Sequence, residues 1–265
     1  MMTDANSVQQ WMTPEIIGHP NNSIHIWLGH IGSLKQYLGF FKQALPQAEL
    51  EKYEKTPIER VRHRQIVARG CLRLLLGAYL GQAPETLLFT HGCHGKPSLL
   101  RQDISRELHF NLTHSQDIVL FVFSGNPNLG IDCECIDGQR KRNWRSISKR
   151  VFTSEEQKEL AELAELEQEI AFHRGWTRKE AYTKAIGDGF QYGFESFSVT
   201  LNSKHPPQIR SDEKSPLAAE SWQLLDIYID KSALATLCFK KSDQLPDVKH
   251  YFIDAKILNL KKPSS

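Results

Sequence analysis

The sequence predicts an α+β protein with antiparallel sheets, laid out as two halves that meet near residues 124–128. Three observations carry this reading. Two stretches with helical character, 59–80 and 172–186, each stop at a glycine, Gly81 and Gly187. Each is flanked by short runs rich in β-branched and aromatic residues. Polar turns at 113–117 and 125–128 separate three of those runs, as between antiparallel neighbours.

Taken in order, 23–28 reads as a strand, with Ile24, Ile26 and Leu28 on one side and His25 and Trp27 on the other. Residues 48–55 form a charged helix stopped before Pro57, and 59–80 a longer one. A short strand at 87–90 leads into a Gly/Pro loop at 91–97. Strands follow at 109–112, 118–123 and 129–136, the last two read as a hairpin across 125–128. Thr153 with Glu156, or Ser154 with Gln157, fits a capping box opening a helix that runs to 167 or beyond. After the helix at 172–186, strands are expected at 197–201, 222–229 and 234–239, with 204–216 a polar loop. Residues 1–124 thus make an N-terminal half, 125–245 a C-terminal half, and 246–265 a C-terminal tail.

Composition narrows the function classes. The net charge of +2 excludes a globally basic nucleic-acid binder, and 40% apolar with 24% charged residues fits an ordinary globular chain. The apolar runs 74–80 and 118–123 are too short to span a membrane. Five cysteines, Cys71, Cys93, Cys133, Cys135 and Cys238, are an odd number without framework spacing. With a polar N-terminus lacking a signal core, they point to reduced thiols and a cytoplasmic protein.

Four features bear on chemistry. Asp132 and Glu134 alternate with cysteines on one strand, so both carboxylates face one way. Such a pair either faces solvent or gathers a cation such as Mg²⁺. Glu180 and Lys184 are four apart on a helix. They form either a surface ion pair or a carboxylate for metal or proton beside a cation for phosphate. Arg64 starts a stripe continued by Ala68, Cys71 and Leu75, while Arg62, Arg69 and Arg73 occupy the opposite, charged side. Arg64 therefore either snorkels at the helix end or meets an anion. Lys96 sits in the stiff turn Gly95-Lys96-Pro97, and Thr113, His114 and Ser115 end a strand with groups that can bond phosphate. A zinc set drawn from His91, Cys93, His94, Cys133 and Cys135 lacks the paired spacing of zinc sites.

In this order, Gly95-Lys96-Pro97, Phe110-Asn111-Leu112-Thr113-His114-Ser115, Gly130-Ile131-Asp132-Cys133-Glu134 and the run from Trp176 through Lys179, Glu180 and Ala181 to Lys184 resemble the Sfp-type 4'-phosphopantetheinyl transferases. Phe152 to Glu156 and Phe197 to Val199 add to the likeness, which spans 24–239. The resemblance implies a pseudo-two-fold pair of similar α/β subdomains, a monomer, with coenzyme A held between them. It implies Mg²⁺-dependent transfer of the 4'-phosphopantetheine arm of coenzyme A to a serine of an apo acyl, polyketide or peptidyl carrier protein, releasing adenosine 3',5'-bisphosphate. Asp132, Glu134 and Glu180 then look like Mg²⁺ ligands, with Glu180 also the base. Lys184 looks like the cation on the phosphates and leaving group. Arg64 and His114 look like contacts to the 3'-phosphate, and Lys96 and Thr113 like further coenzyme A contacts. Basic residues Arg140, Lys141, Arg142, Arg145, Lys149 and Arg150 either meet an acidic carrier helix or are a solvated run.

Overall fold

The structure is a computed structural model that describes residues 11–14, 17–92, 95–100, 107–136 and 143–255. The chain runs β1 (Ser23–His30), α1 (Ile31–Leu34), α2 (Leu38–Gln43), α3 (Gln47–Glu54), α4 (Glu59–Leu80), β2 (Phe89–His91), β3 (Pro97–Leu99), β4 (His109–Ser115) and β5 (Ile118–Ser124). It continues as β6 (Leu129–Cys135), α5 (Trp144–Val151), α6 (Ser154–Glu162), α7 (Glu165–Ile186), β7 (Phe197–Val199), β8 (Ile209–Asp212), α8 (Ala218–Ser221), β9 (Trp222–Asp230), β10 (Ala233–Lys240) and β11 (Asp247–Phe252).

The two halves repeat one plan. Strand order in the larger sheet is β11-β1-β5-β4, and in the other it is β6-β10-β9. In each half a first strand is followed by a 22-residue helix, α4 or α7, that ends at a left-handed glycine. A two-stranded ribbon comes next, β2-β3 or β7-β8. A hairpin closes the half, and its second strand pairs antiparallel with the first: β5 with β1, β10 with β6. Residues 246 onward, read as a tail, supply β11, which lies parallel to β1 in the first half's sheet.

Alternation along the strands builds four layers. On β1 and β5, Trp27, Phe121 and Phe123 face α2 and α4 and pack on Phe41, Leu72 and Leu75. Ile24, Ile26, Leu120 and Val122 face the opposite way, onto Ile131, Cys133, Ala235 and Leu237 of the second sheet. The far face of that sheet carries α7 through Ala181, Tyr182 and Ala185 with Leu224 and Cys238.

Several expectations need correction. Residues 118–136 are not a hairpin: β5 is already paired on both edges, by β1 and β4, so the chain leaves the first sheet at 125–128 and β6 pairs with β10. The hairpin is β4-β5, and its turn is only Gln116 and Asp117, with Thr113 to Ser115 inside the strand. Gln116 takes a left-handed φ of 47°, and the turn is held from α1, where Gly32 N–H donates to Asp117 Oδ1 at 2.6 Å. The segment 204–216 contains β8. The capping box at Thr153 and Glu156 forms as read, but α6 stops at Glu162 before α7 begins. Among the described residues no helix is long and apolar enough to cross a membrane.

Candidate active site

The site forms where α7 lies directly on β6. Gly130 makes this possible: a Cβ there would sit 2.3 Å from the Ala181 carbonyl oxygen and 2.4 Å from Ala185 N. Two residues on, Asp132 faces the same helix and is buried. Its Oδ1 accepts from Lys184 Nζ at 2.7 Å and Thr113 Oγ1 at 3.0 Å. Its Oδ2 is buried without a hydrogen-bond partner. Burial lifts the Asp132 carboxyl, and the Lys184 ammonium is the chief force drawing it back. Asp132 therefore does not face solvent, and Lys184 pairs with it across the seam, while Glu134 is half-buried.

Glu180 lies one turn before Lys184 on α7 and is 8% exposed. Burial lifts its carboxyl from 4.5 to about 7; Asp132 and Glu134 add to the lift, against the pull of Lys184. A carboxylate that titrates near neutrality can take up a proton during a reaction and release it afterwards.

The seam is sewn from β4. Asn111, Thr113 and Ser115 alternate on one side of that strand, and each reaches β6. Asn111 Oδ1 accepts from Ile131 N–H at 3.1 Å, Thr113 bonds Asp132, and Ser115 Oγ accepts from Cys135 N–H at 3.0 Å and donates to Glu134 Oε2 at 3.3 Å. These side chains do the work of a backbone ladder between the two sheets. Thr113 thus supports a carboxylate. The period-two polar row is present in the sequence, where Thr113 and Ser115 suggest phosphate-bonding groups.

His114 points away from that row and keeps part of its ring open to solvent. Burial of the rest and the nearby Arg64 guanidinium lower its pKa. Arg64 lines a 670 Å³ cleft together with Lys35, Glu59, Arg60, His63 and Asp117. Lys35 and Arg60 were not among the residues singled out. A larger cleft, 1240 Å³, is lined from 17–24, 124–129 and 239–246 with Tyr79 and Glu107, and by none of the catalytic, metal or coenzyme A residues expected from the sequence. Lys96 lies elsewhere again: its ammonium donates to the Lys184 carbonyl at 2.7 Å and the Leu129 carbonyl at 3.1 Å. Burial lowers its pKa to about 8.

Two buried cations just before Glu180 fix α7. Arg178 donates to Asp226 and Thr200. Lys179 pairs with Glu156 at 2.8 Å, and that carboxylate also accepts from Thr153 and Val199 N–H. Arg73, expected on the charged face of α4, is buried instead, donating to Glu49 and to the Pro84 and Leu87 carbonyls.

Asp132 Oδ2, a buried oxygen with no partner, is the kind of donor that a hard cation satisfies. Among the described residues no three His, Cys, Asp or Glu side chains are gathered closely enough to hold a metal ion. Mg²⁺ does not require such a group, since it takes one or two carboxylates and leaves its other positions to water and phosphate. Of the zinc set, Cys133 is buried in the inter-sheet core, Cys135 Sγ lies 3.3 Å from the Ser115 carbonyl oxygen, and Cys93 and His94 fall outside the described residues.

Comparison with known proteins bears on this site. Residues 128–238 match the 4'-phosphopantetheinyl transferase superfamily model. The 4'-phosphopantetheinyl transferase psf-1 of Bacillus pumilus is 30% identical over 193 residues, 71% of this chain and 78% of that protein. The chain belongs to the 4'-phosphopantetheinyl transferase family. Its activity is 4'-phosphopantetheinyl transfer. HetI, a 4'-phosphopantetheinyl transferase of Nostoc sp., is 29% identical over 231 residues, 87% of this chain and 93% of its own. AcpT of Salmonella typhimurium is 36% identical over 131 residues, 49% of this chain and 64% of its own. The superfamily match begins just before β6 and ends in β10, so it takes in Asp132, Glu134, Glu180 and Lys184. Arg64, Lys96, Thr113 and His114 precede it.

Proposed function

We propose that this transferase moves the 4'-phosphopantetheine arm of coenzyme A to a serine hydroxyl of an apo carrier protein, with adenosine 3',5'-bisphosphate leaving, in a Mg²⁺-dependent reaction. The observation that carries the reading is the buried seam in which Asp132, Glu180 and Lys184 meet, with Glu134 beside them.

Mg²⁺ would draw its one or two protein ligands from among Asp132, Glu134 and Glu180, and would supply neutralising charge at the pyrophosphate. The chain's own groups do the rest. Glu180 accepts the proton from the carrier serine as its oxygen bonds to the phosphorus bearing the arm. The bond from that phosphorus to the bridging oxygen breaks, and adenosine 3',5'-bisphosphate takes its electron pair. Lys184, held 2.7 Å from Asp132, meets the charge that develops on the phosphates. Arg64 and His114, beside the cleft that also carries Lys35 and Arg60, receive the 3'-phosphate. Arg145, Lys149 and Arg150, exposed on α5, meet an acidic face of the carrier; Arg140, Lys141 and Arg142 lie outside the described residues.

The test is release of adenosine 3',5'-bisphosphate from coenzyme A, followed by chromatography. The reading expects release that requires both Mg²⁺ and an apo carrier with its serine intact. Release from coenzyme A alone, or with a carrier whose acceptor serine is alanine, would identify water as the acceptor and overturn it.

A further inference from the structure

We infer that Lys96 is a positioning residue: it sets the spacing of the strand and helix that carry the reacting groups. The inference rests on the function proposed above and alters one residue's part in it, since the family resemblance makes Lys96 a coenzyme A contact.

The ammonium is committed within the chain. An ammonium has three donors, and two of them are spent on the Lys184 and Leu129 carbonyls. Both acceptors are telling. Lys184 O belongs to the last turn of α7, where carbonyls have no partner inside the helix. Lys96 supplies that partner from 88 residues away, out of the other half of the molecule. Leu129 O is at the start of β6, three residues before Asp132. One cation therefore grips the end of the helix bearing Glu180 and Lys184 and the start of the strand bearing Asp132 and Glu134.

Its grip falls beside the tightest contact between those two elements, where Gly130 brings the strand against the helix backbone. Lys96 is also held through its described neighbours. Gly95 takes a left-handed φ of 80°, Gly92 N–H donates to the Lys96 carbonyl at 3.0 Å, and Pro97 opens β3. A lysine held by its own turn, with its head on two backbone carbonyls, has little freedom left to follow a ligand. Reacting groups lose rate steeply when they shift by an ångström, so a clamp at this seam belongs to turnover and leaves affinity largely untouched.

The experiment begins with wild-type transfer to an apo carrier. Failure of wild type to transfer would count against the proposed function, not against the clamp, which the methylation measurement below reads independently. With transfer established, Lys96→Met keeps the stem and removes the donors. The expected result is a fall in kcat of about tenfold to hundredfold, with coenzyme A affinity by calorimetry held within about twofold, and partial recovery in Lys96→Arg. A tenfold or larger loss of coenzyme A affinity with kcat unchanged would overturn the inference, as would no change in either quantity. A second measurement needs no variant. Reductive methylation of wild type, read by peptide mass spectrometry, should modify Lys96 at a rate that coenzyme A does not change. Rapid methylation that coenzyme A suppresses would make Lys96 a ligand contact.

Discussion

Glu180 shows how one residue can trade stability for chemistry. Its carboxyl titrates near 7 in the fold against 4.5 ordinarily, so the folded chain holds that proton more tightly than the unfolded one. The stability this gives is fully present below pH 4.5 and is lost as pH rises through about 7. Glu180→Gln stays neutral and escapes the loss. In metal-free buffer at pH 8 the variant should be more stable than wild type by ~1–3 kcal/mol, with the gap closing towards pH 4.5, while transfer falls by at least about a hundredfold. Near-normal turnover, or a stability difference that ignores pH, would contradict the role. Asp132→Ala should raise the Mg²⁺ concentration for half-maximal activity by at least about tenfold; an unchanged Mg²⁺ titration would count against a metal at Asp132. Strand and helix periods put Asp132 beside Glu134 and Glu180 beside Lys184 on shared faces but left open whether either pair faced solvent, and only the family resemblance joined them into one site. Arg73 was misread because its partners, Glu49 and the carbonyls of Pro84 and Leu87, come from other segments that the helical stripe does not reveal.

Among the elements, the decisive contact is β6 against α7. Gly130→Ala would push a methyl into the helix backbone at Ala181 and Ala185, and backbone there has no side-chain freedom with which to yield. The substitution should cost ~3 kcal/mol, the upper end for overpacking, read as a lower midpoint in urea, with transfer lost alongside. A variant as stable and as active as wild type would mean that the close approach is not needed. The long helices and the capping box at Thr153 could be read locally because their signals lie within a few residues. The pairing of 118–136 could not, since which strand takes the edge of β5 depends on β1 and β4, far apart in the chain. Helices α1 and α2 went unread for a related reason: α2 is six residues long and packs by contact with α4, where Gly70 lies against Phe41.

At the scale of the molecule, the repeated plan of strand, long helix, ribbon and hairpin places the site at the join of two similar halves. The division near 124–128 was visible in the turn residues there. The return of β11 to the first sheet was not, because nothing local distinguishes an edge strand from an exposed tail. The exposed Arg145, Lys149 and Arg150 on α5 give an electrostatic prediction. If they meet an acidic carrier, raising salt from about 0.05 to 0.5 M should weaken carrier affinity several-fold through screening and affect coenzyme A binding less. Carrier affinity independent of salt would remove that surface from the account.

The central claim is that the groups gathered at the β6–α7 seam carry out the transfer. Intact-mass spectrometry of an apo carrier protein, incubated with coenzyme A, Mg²⁺ and either wild type or Glu180→Gln, tests it most directly. One phosphopantetheine arm should be gained with wild type, a gain abolished by chelating Mg²⁺ and absent with Glu180→Gln. An equal gain from the variant, or a gain that survives chelation, would contradict the claim.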